Sequence, residues 1–275
     1  MSGCLAHCLP SSPHPSFQPE AFAPTMQISS ASNPRYKSWQ KALDSRGIRK
    51  QNEAILAGKK FLSEVLRDHP ERVQAVLLRD GMDAPQAPGA LPGNIQMYSM
   101  PAELFAALDI YGTDAPLMLI SAPEPPVWGG SLPPGLTLFL PFQNPINLGT
   151  IIRSAAAFGA QVVVLKEAAN IYHPKTLRAA GPGLFKTTIM QGPSLAGLAE
   201  YIDLPLFALG LNGENLFKFK FPQSFGLVAG MEGPGLEAVW PKRNLLTIPM
   251  QPGVESLNAA AAVDISLGAI FAGGA

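Results

Sequence analysis

From Leu136 onward the chain alternates short apolar runs with segments of helical character, and no other feature narrows its fold so far. Leu136 to Leu140 reads as a strand, Leu148 to Phe158 as a helix ended by Gly159, and Gln161 to Leu165 as the next strand. Pro174 to Ala180 reads as a helix with proline at its first position, closed by Gly181. Further strands are expected at Lys186 to Met190, Leu206 to Leu209, Phe225 to Ala229 and Leu245 to Ile248. Helices are expected at Leu195 to Tyr201 and Ser256 to Phe271. This alternation predicts an α/β domain with a mostly parallel sheet covered on both faces.

The region before it divides in three. Residues 1–32 are rich in Pro, Ser and Ala without periodicity and are expected to be a disordered leader, with Met26 a candidate start of the native chain. Residues 33–121 read as a small α/β domain. Helical segments are expected through Trp39, Leu43, Ile48, Ala54 to Leu56 and Phe61 to Leu66. Strands are expected at Val73 to Leu78 and Leu117 to Ile120, with a short helix at Glu103 to Leu108. Residues 122–135 carry five prolines and three glycines and read as a linker. Residues 136–275 form the second domain.

Formal net charge is zero, but it is unevenly spread. Asn33 to Arg72 holds ten Lys or Arg against five Asp or Glu, whereas Leu136 to Ala275 holds nine against eight. Positive charge therefore lies early in the chain, where it can meet phosphates or form a solvated helix face. Only Cys4 and Cys8 occur, so no disulfide framework is implied and a reducing, cytoplasmic setting is expected. Cys4, His7 and Cys8 lack a second ligand cluster, and no metal site is expected. The leader lacks the pattern of a signal peptide, and Ala259 to Ala272, the most apolar stretch, is too short for a membrane span.

Three segments of the second domain follow predicted strands, where open α/β sheets gather ligands. In Leu138 to Gly159, Asn144 and Asn147 supply amide groups in the turn. Gly149 permits close backbone approach, and Arg153 projects a fork of donors on a permanent cation. In Leu227 to Leu236, glycines 230, 233 and 235 surround Glu232. In Leu246 to Ala260, a strand ends at Ile248-Pro249-Met250 and a loop leads to Ser256-Leu257-Asn258. Ser256 is the expected helix N-cap, and Asn258 inside the first turn asks for another role. There is no G-x-G-x-x-G between a strand and a helix, no Walker-type loop, no G-x-S-x-G elbow and no metal spacing among His7, His14, His69 and His173. These absences argue against a dehydrogenase, kinase, serine hydrolase or zinc hydrolase. His173, preceding Pro174, is expected at the surface.

Together the segments resemble the three motifs of the SpoU (TrmH-like) family of RNA 2′-O-ribose methyltransferases, within the SPOUT superfamily. The first, N-x-x-N-x-G-x-x-x-R, is met by Asn144, Asn147, Gly149 and Arg153. The second, G-x-E-G-x-G, is met by Gly230, Glu232, Gly233 and Gly235. The third, I-P-M followed by S-L-N, is met by Ile248, Pro249, Met250, Ser256, Leu257 and Asn258. Pro174 to Phe185 is similar to a further family element, but Ala180 stands where serine is common and Pro182-Gly183 replace small residues.

The resemblance implies a trefoil-knotted domain preceded by a ribosomal-protein-like RNA-binding domain. It also implies a homodimer, S-adenosylmethionine as methyl donor, and a structured RNA as substrate, rRNA ahead of tRNA. It assigns Arg153 to the ribose hydroxyl, with Asn144, Glu232, Ser256 and Asn258 as the polar frame. For the cofactor it points to Gly230, Gly235, Ile248, Met250 and Leu257, and for RNA to Lys41, Arg46, Arg49, Lys50 and Arg178. Arginine is always protonated in proteins, so stabilising a developing alkoxide suits it better than acting as a base. No metal is required. The alternatives are a non-catalytic RNA-binding paralogue of the same fold and an unrelated nucleotide-using α/β enzyme.

Overall fold

The computed structural model describes residues 23–85, 95–230, 236, 240 and 244–273. The first domain comprises β1 (Met26–Gln27), α1 (Pro34–Lys41), α2 (Ser45–Gln51), β2 (Glu53–Ala57), α3 (Lys59–Asp68), β3 (Val73–Arg79), β4 (Gln96–Met100), α4 (Ala102–Leu108) and β5 (Leu117–Ser121). Its strands form one mixed sheet in the order β1-β4-β3-β5-β2.

Two expectations for this domain need correction. Ala54 to Leu56 belongs to a strand, not a helix; Asn52 ends α2 with φ 53°, and β2 then pairs antiparallel with β5. A short apolar run cannot be assigned to helix or strand by periodicity alone. Residues 26–28 are not part of a disordered leader, because β1 pairs with β4 and Ile28 is buried. Strand β4 also lies beyond the sequence expectation.

The second domain runs β6 (Gly135–Leu140), α5 (Pro145–Phe158), β7 (Gln161–Val164), α6 (Pro174–Ala180), α7 (Gly183–Lys186), β8 (Ile189–Gln191), α8 (Leu195–Leu198), β9 (Leu206–Asn215), β10 (Ser224–Val228), β11 (Leu245–Thr247) and α9 (Ala259–Ala272). All six strands are parallel, in the order β11-β9-β10-β6-β7-β8. Continuous apolar runs suit such a sheet because both faces are covered. Leu138, Phe139, Leu140, Val162, Val163 and Leu227 are all fully buried. Each such side chain contributes roughly 1.5–3 kcal/mol.

Strand order reverses between β6 and β10, with Leu138 opposite Leu227 and Phe139 opposite Val228. A crevice opens beyond the carboxyl ends of strands at such a switch point. The chain places the Asn144 turn on one side of it and Gly230 on the other.

Helix α5 is buried on more than one side, through Leu148, Ile151, Ile152 and Ala155. It packs against α6 and against α9, where Phe158 and Phe271 meet edge to face at 5.4 Å. Gly149 is required by the first contact, since a Cβ there would lie 2.4 Å from the Thr176 carbonyl oxygen.

The segment expected as a linker is an ordered strap. Ala122 donates its N–H to the Asn52 carbonyl, Val127 bridges to Gln191, and Trp128 is buried edge-on to Phe139 at 5.0 Å. One apolar cluster runs through both domains, joining Ile48, Leu56 and Phe61 to Leu138, Ile151 and Leu177. No helix among the described residues is long and apolar enough to cross a membrane.

Candidate active site

The first motif is built by a helix start. Asn144 caps α5, its side-chain oxygen accepting from the N–H of Ile146 at 2.9 Å and of Asn147 at 3.4 Å. Pro145 at the first helical position suits this end. Asn147 is buried. The expected start at Leu148 moves to Pro145, because the motif's first asparagine is itself the cap.

Two turns on, Arg153 leaves α5 toward the turn that ends α6. Its Nε donates to the Ala180 carbonyl at 3.3 Å, and Nη2 donates to the Arg178 carbonyl at 3.4 Å. The turn is shaped to receive it. Gly181 has φ 54° and ψ −146°, and a Cβ there would lie 2.8 Å from Arg153 Nη2. A Cβ at Gly183 would lie 2.9 Å from the Arg153 Cα. The arginine is exposed, and two backbone carbonyls accept from its fork.

The Pro174 to Phe185 departures have a physical reading here. The acceptors for Arg153 are main-chain carbonyls, so alanine at 180 serves as well as serine for that bond. These carbonyls carry no side-chain signature and were not anticipated from the sequence. Gly181 was the available signal, as a residue tolerating a backbone conformation that others resist.

Strands β9, β10 and β11 end near one another. Thr247 Oγ1 donates to the Leu211 carbonyl at 3.1 Å. Gly230 lies against Leu209, where an added Cβ would stand 3.5 Å from the carbonyl oxygen, an ordinary contact. Gly226 and Gly213 differ: a Cβ would meet Leu206 and Phe139 at the first and the Leu245 backbone at the second, all under 3.0 Å. Among the described residues, neither packing nor a left-handed φ requires glycine at 230. Gly230 is half-buried, and the missing side chain lets another group approach its backbone closely. Strand β9 extends to Asn215, and Leu209 and Leu211 at this cradle were not anticipated from the sequence.

Glu232, Gly233 and Gly235 lie outside the described residues. Ile248 and Met250 are half-buried, whereas Ser256, Leu257 and Asn258 are exposed. The expected cap is corrected: Asn258, not Ser256, caps α9, accepting from Ala260 and Ala261 N–H at 2.9 and 3.1 Å. The helix starts at Ala259 because the asparagine oxygen satisfies its first free donors.

Of the basic residues, Arg46, Arg49 and Lys50 share one face of α2 at helical spacing, and all are exposed. Lys41 adjoins them because Gly47 lets α2 pack on its carbonyl, where a Cβ would stand at only 1.8 Å. Arg49 also lines a cleft between the domains with Lys166 and Tyr172. Arg178 is elsewhere, with its guanidinium carbon 4.3 Å from the Tyr111 ring centroid.

His173 is half-buried rather than at the surface, and its Nδ1 accepts from the Lys175 N–H at 3.2 Å. Burial and the Lys175 charge hold it below the ordinary histidine value, with Asp44 opposing them. Among the described residues, no three His, Cys, Asp or Glu are grouped to hold a metal ion.

A six-stranded parallel sheet with a switch point, beside which a helix carries an arginine held by backbone carbonyls, is an arrangement of the open α/β class. Residues 137–268 match the sequence model of the SpoU rRNA Methylase family. The matched residues span nearly all of the second domain and just under half of the chain.

The chain is 43% identical over 244 residues to "Ribosomal RNA small subunit methyltransferase G 2" of Syntrophobacter fumaroxidans. That alignment covers 88% of this chain but 48% of the relative, so the chain spans about half of that protein's length. It is 29% identical over 249 residues to the Bacillus subtilis "23S rRNA (guanosine(2553)-2'-O)-methyltransferase RlmP", covering 87% of this chain and 96% of the relative. In fold it is similar to an AdoMet-bound rRNA methyltransferase from Sinorhizobium meliloti, with TM-score 0.73 and 18% identity over 90% of this chain and 98% of that one.

Proposed function

We propose that this chain transfers a methyl group from S-adenosylmethionine to a ribose 2′-hydroxyl of a structured RNA, ribosomal RNA ahead of transfer RNA. The observation that carries this reading is Arg153, held at the end of α6 by the Ala180 and Arg178 carbonyls. The Bacillus subtilis relative, aligned over 96% of its length, has a 2′-O activity in its name and supports the same position.

S-adenosylmethionine supplies an electrophilic methyl on a sulfonium. Gly230, Gly235, Ile248, Met250 and Leu257 are the residues proposed to hold it. Methyl transfer forms a C–O bond as the C–S bond breaks and the pair returns to sulfur. The hydroxyl proton must leave by the transition state, to solvent or an RNA phosphate. Arg153 would stabilise the oxygen as negative charge grows there. Its carbonyl anchors hold the fork in place beforehand, which lowers the reorganisation needed in the transition state. Asn144, Glu232, Ser256 and Asn258 complete the proposed polar frame. Asn144 and Asn258 do so as helix caps whose position fixes two of the motif loops.

The proposed RNA surface is Lys41, Arg46, Arg49 and Lys50, whereas Arg178 lies against Tyr111 of the first domain. A second copy of the chain is proposed to cover Ile146, Phe158, Leu257, Ile265 and Phe271, all large apolar side chains exposed on or beside α5 and α9. The return of the last helix from edge strand β11 to pack on α5 supports a threaded, trefoil-knotted C-terminal segment. The cytoplasm is the proposed location.

The test is transfer of labelled methyl from S-adenosylmethionine to unmodified 16S and 23S rRNA transcripts, followed by alkaline hydrolysis. A 2′-O-methyl blocks cleavage at its own phosphodiester, so label is expected in an alkali-resistant dinucleotide. Label in mononucleotides would mean base methylation and overturn the proposal.

A further inference from the structure

One residue faces both the first domain and the arginine proposed for transfer. Arg178 lies near the end of α6, with its guanidinium over the Tyr111 ring at 4.3 Å. Tyr111 belongs to the first domain, in the turn between α4 and β5. A guanidinium over an aromatic face at that distance is attractive, the more so when partly desolvated. The main chain of Arg178 points the other way, its carbonyl accepting from Arg153 Nη2. Two residues on, the Ala180 carbonyl accepts from Arg153 Nε. The Tyr111 hydroxyl is buried with no hydrogen-bond partner among the described residues, so the ring acts through its face.

Helix α6 is seven residues long and is gripped from both sides. Its Thr176 and Ala180 backbone lies against Gly149 of α5, and its Arg178 side chain lies against Tyr111. A tilt of so short a helix moves the carbonyls of 178 and 180 together, and the arginine fork with them. We propose that the Tyr111–Arg178 contact is a positioning device that ties seating of the RNA-binding domain to the orientation of Arg153. Arg178 then serves chiefly as a joint between the domains, not as a phosphate ligand. This rests on the transfer reading above and deepens it.

The experiment compares the wild-type chain with Tyr111→Ala, Tyr111→Phe and Arg178→Ala. Single-turnover methylation of a 23S rRNA transcript at saturating RNA and S-adenosylmethionine is the first readout. Tyr111→Ala and Arg178→Ala are expected to lower that rate by about tenfold or more, with RNA affinity and its salt dependence little changed. Tyr111→Phe keeps the ring face and is expected within about twofold of wild type. The second readout needs no turnover. In arginine-labelled protein, the Arg153 ¹⁵N–Hε resonance is expected to shift and lose exchange protection in Tyr111→Ala but not in Tyr111→Phe.

A rate unchanged at saturation, with only weaker RNA binding and a flatter salt slope in Arg178→Ala, would overturn the proposal and return Arg178 to phosphate binding. A lowered melting temperature with unaltered rate and resonance would also overturn it. If the wild type transfers no methyl to any rRNA transcript, the function reading fails, and the Arg153 resonance still decides the positioning role.

Discussion

Arg153 and Ala180 are 27 residues apart in sequence, yet the guanidinium Nε of one donates to the carbonyl of the other at 3.3 Å. The bond joins the helix of the first motif to a segment whose main chain, rather than its side chains, acts on the site.

Removing the cation tests its proposed role directly. Arg153→Ala is expected to leave S-adenosylmethionine affinity nearly unchanged by calorimetry while abolishing methyl transfer. Arg153→Lys keeps the charge but loses the fork, so it is expected to recover only a small part of the rate. Near-native turnover in Arg153→Ala would remove Arg153 from the mechanism.

Gly181 is expected to be intolerant of any side chain. At φ 54° and ψ −146°, a Cβ is strained and would lie 2.8 Å from Arg153 Nη2. Gly181→Ala should cost about 1–3 kcal/mol of stability in urea unfolding. Its single-turnover rate should fall by more than tenfold even well below the melting temperature. A stable variant with full activity would show that the turn need not hold the arginine.

The charge on α1 and α2 is expected to act on RNA through phosphates. Neutralising Lys41, Arg46, Arg49 and Lys50 together should weaken binding. It should also reduce the slope of log affinity against log salt by about 0.7–0.9 for each phosphate that the variant no longer neutralises. Binding measured across a salt series checks this, and an unchanged slope would mark the cluster as a solvated face.

His173 gives a pH dependence with a defined sign. Its folded-state value is depressed below 6.5, first by burial and then by Lys175, against a smaller opposing effect of Asp44. The unfolded chain therefore takes up the proton first as pH falls, and the contribution of His173 to stability declines below about pH 6.5. Protonation of Nδ1 also removes the acceptor for the Lys175 N–H. His173→Asn keeps a capping side chain and cannot titrate, so its unfolding free energy should vary less between about pH 7 and pH 5. Parallel curves for the two proteins would exclude His173 as the source.

Sequence alone determined the α/β class, because hydrophobic runs and their Gly and Pro punctuation are local properties that record strand, turn and helix directly. It also placed the Asn144 turn after β6 and the beginning of α6 at Pro174, since an asparagine in a turn and a proline at a first helical position have local physical causes. It could not tell that Ala54 to Leu56 is a strand, because that depends on pairing with β5 some sixty residues later. Nor could it separate Ser256 from Asn258 as the cap of α9, since both residue types cap well and only chain geometry selects one. Tertiary structure alone decided what holds Arg153. The carbonyls of Arg178 and Ala180 are groups every residue carries, and they become ligands only because α6 packs on α5 at Gly149 and the chain turns at Gly181. The Tyr111 contact is of the same kind, a meeting of two domains that neither segment's sequence records.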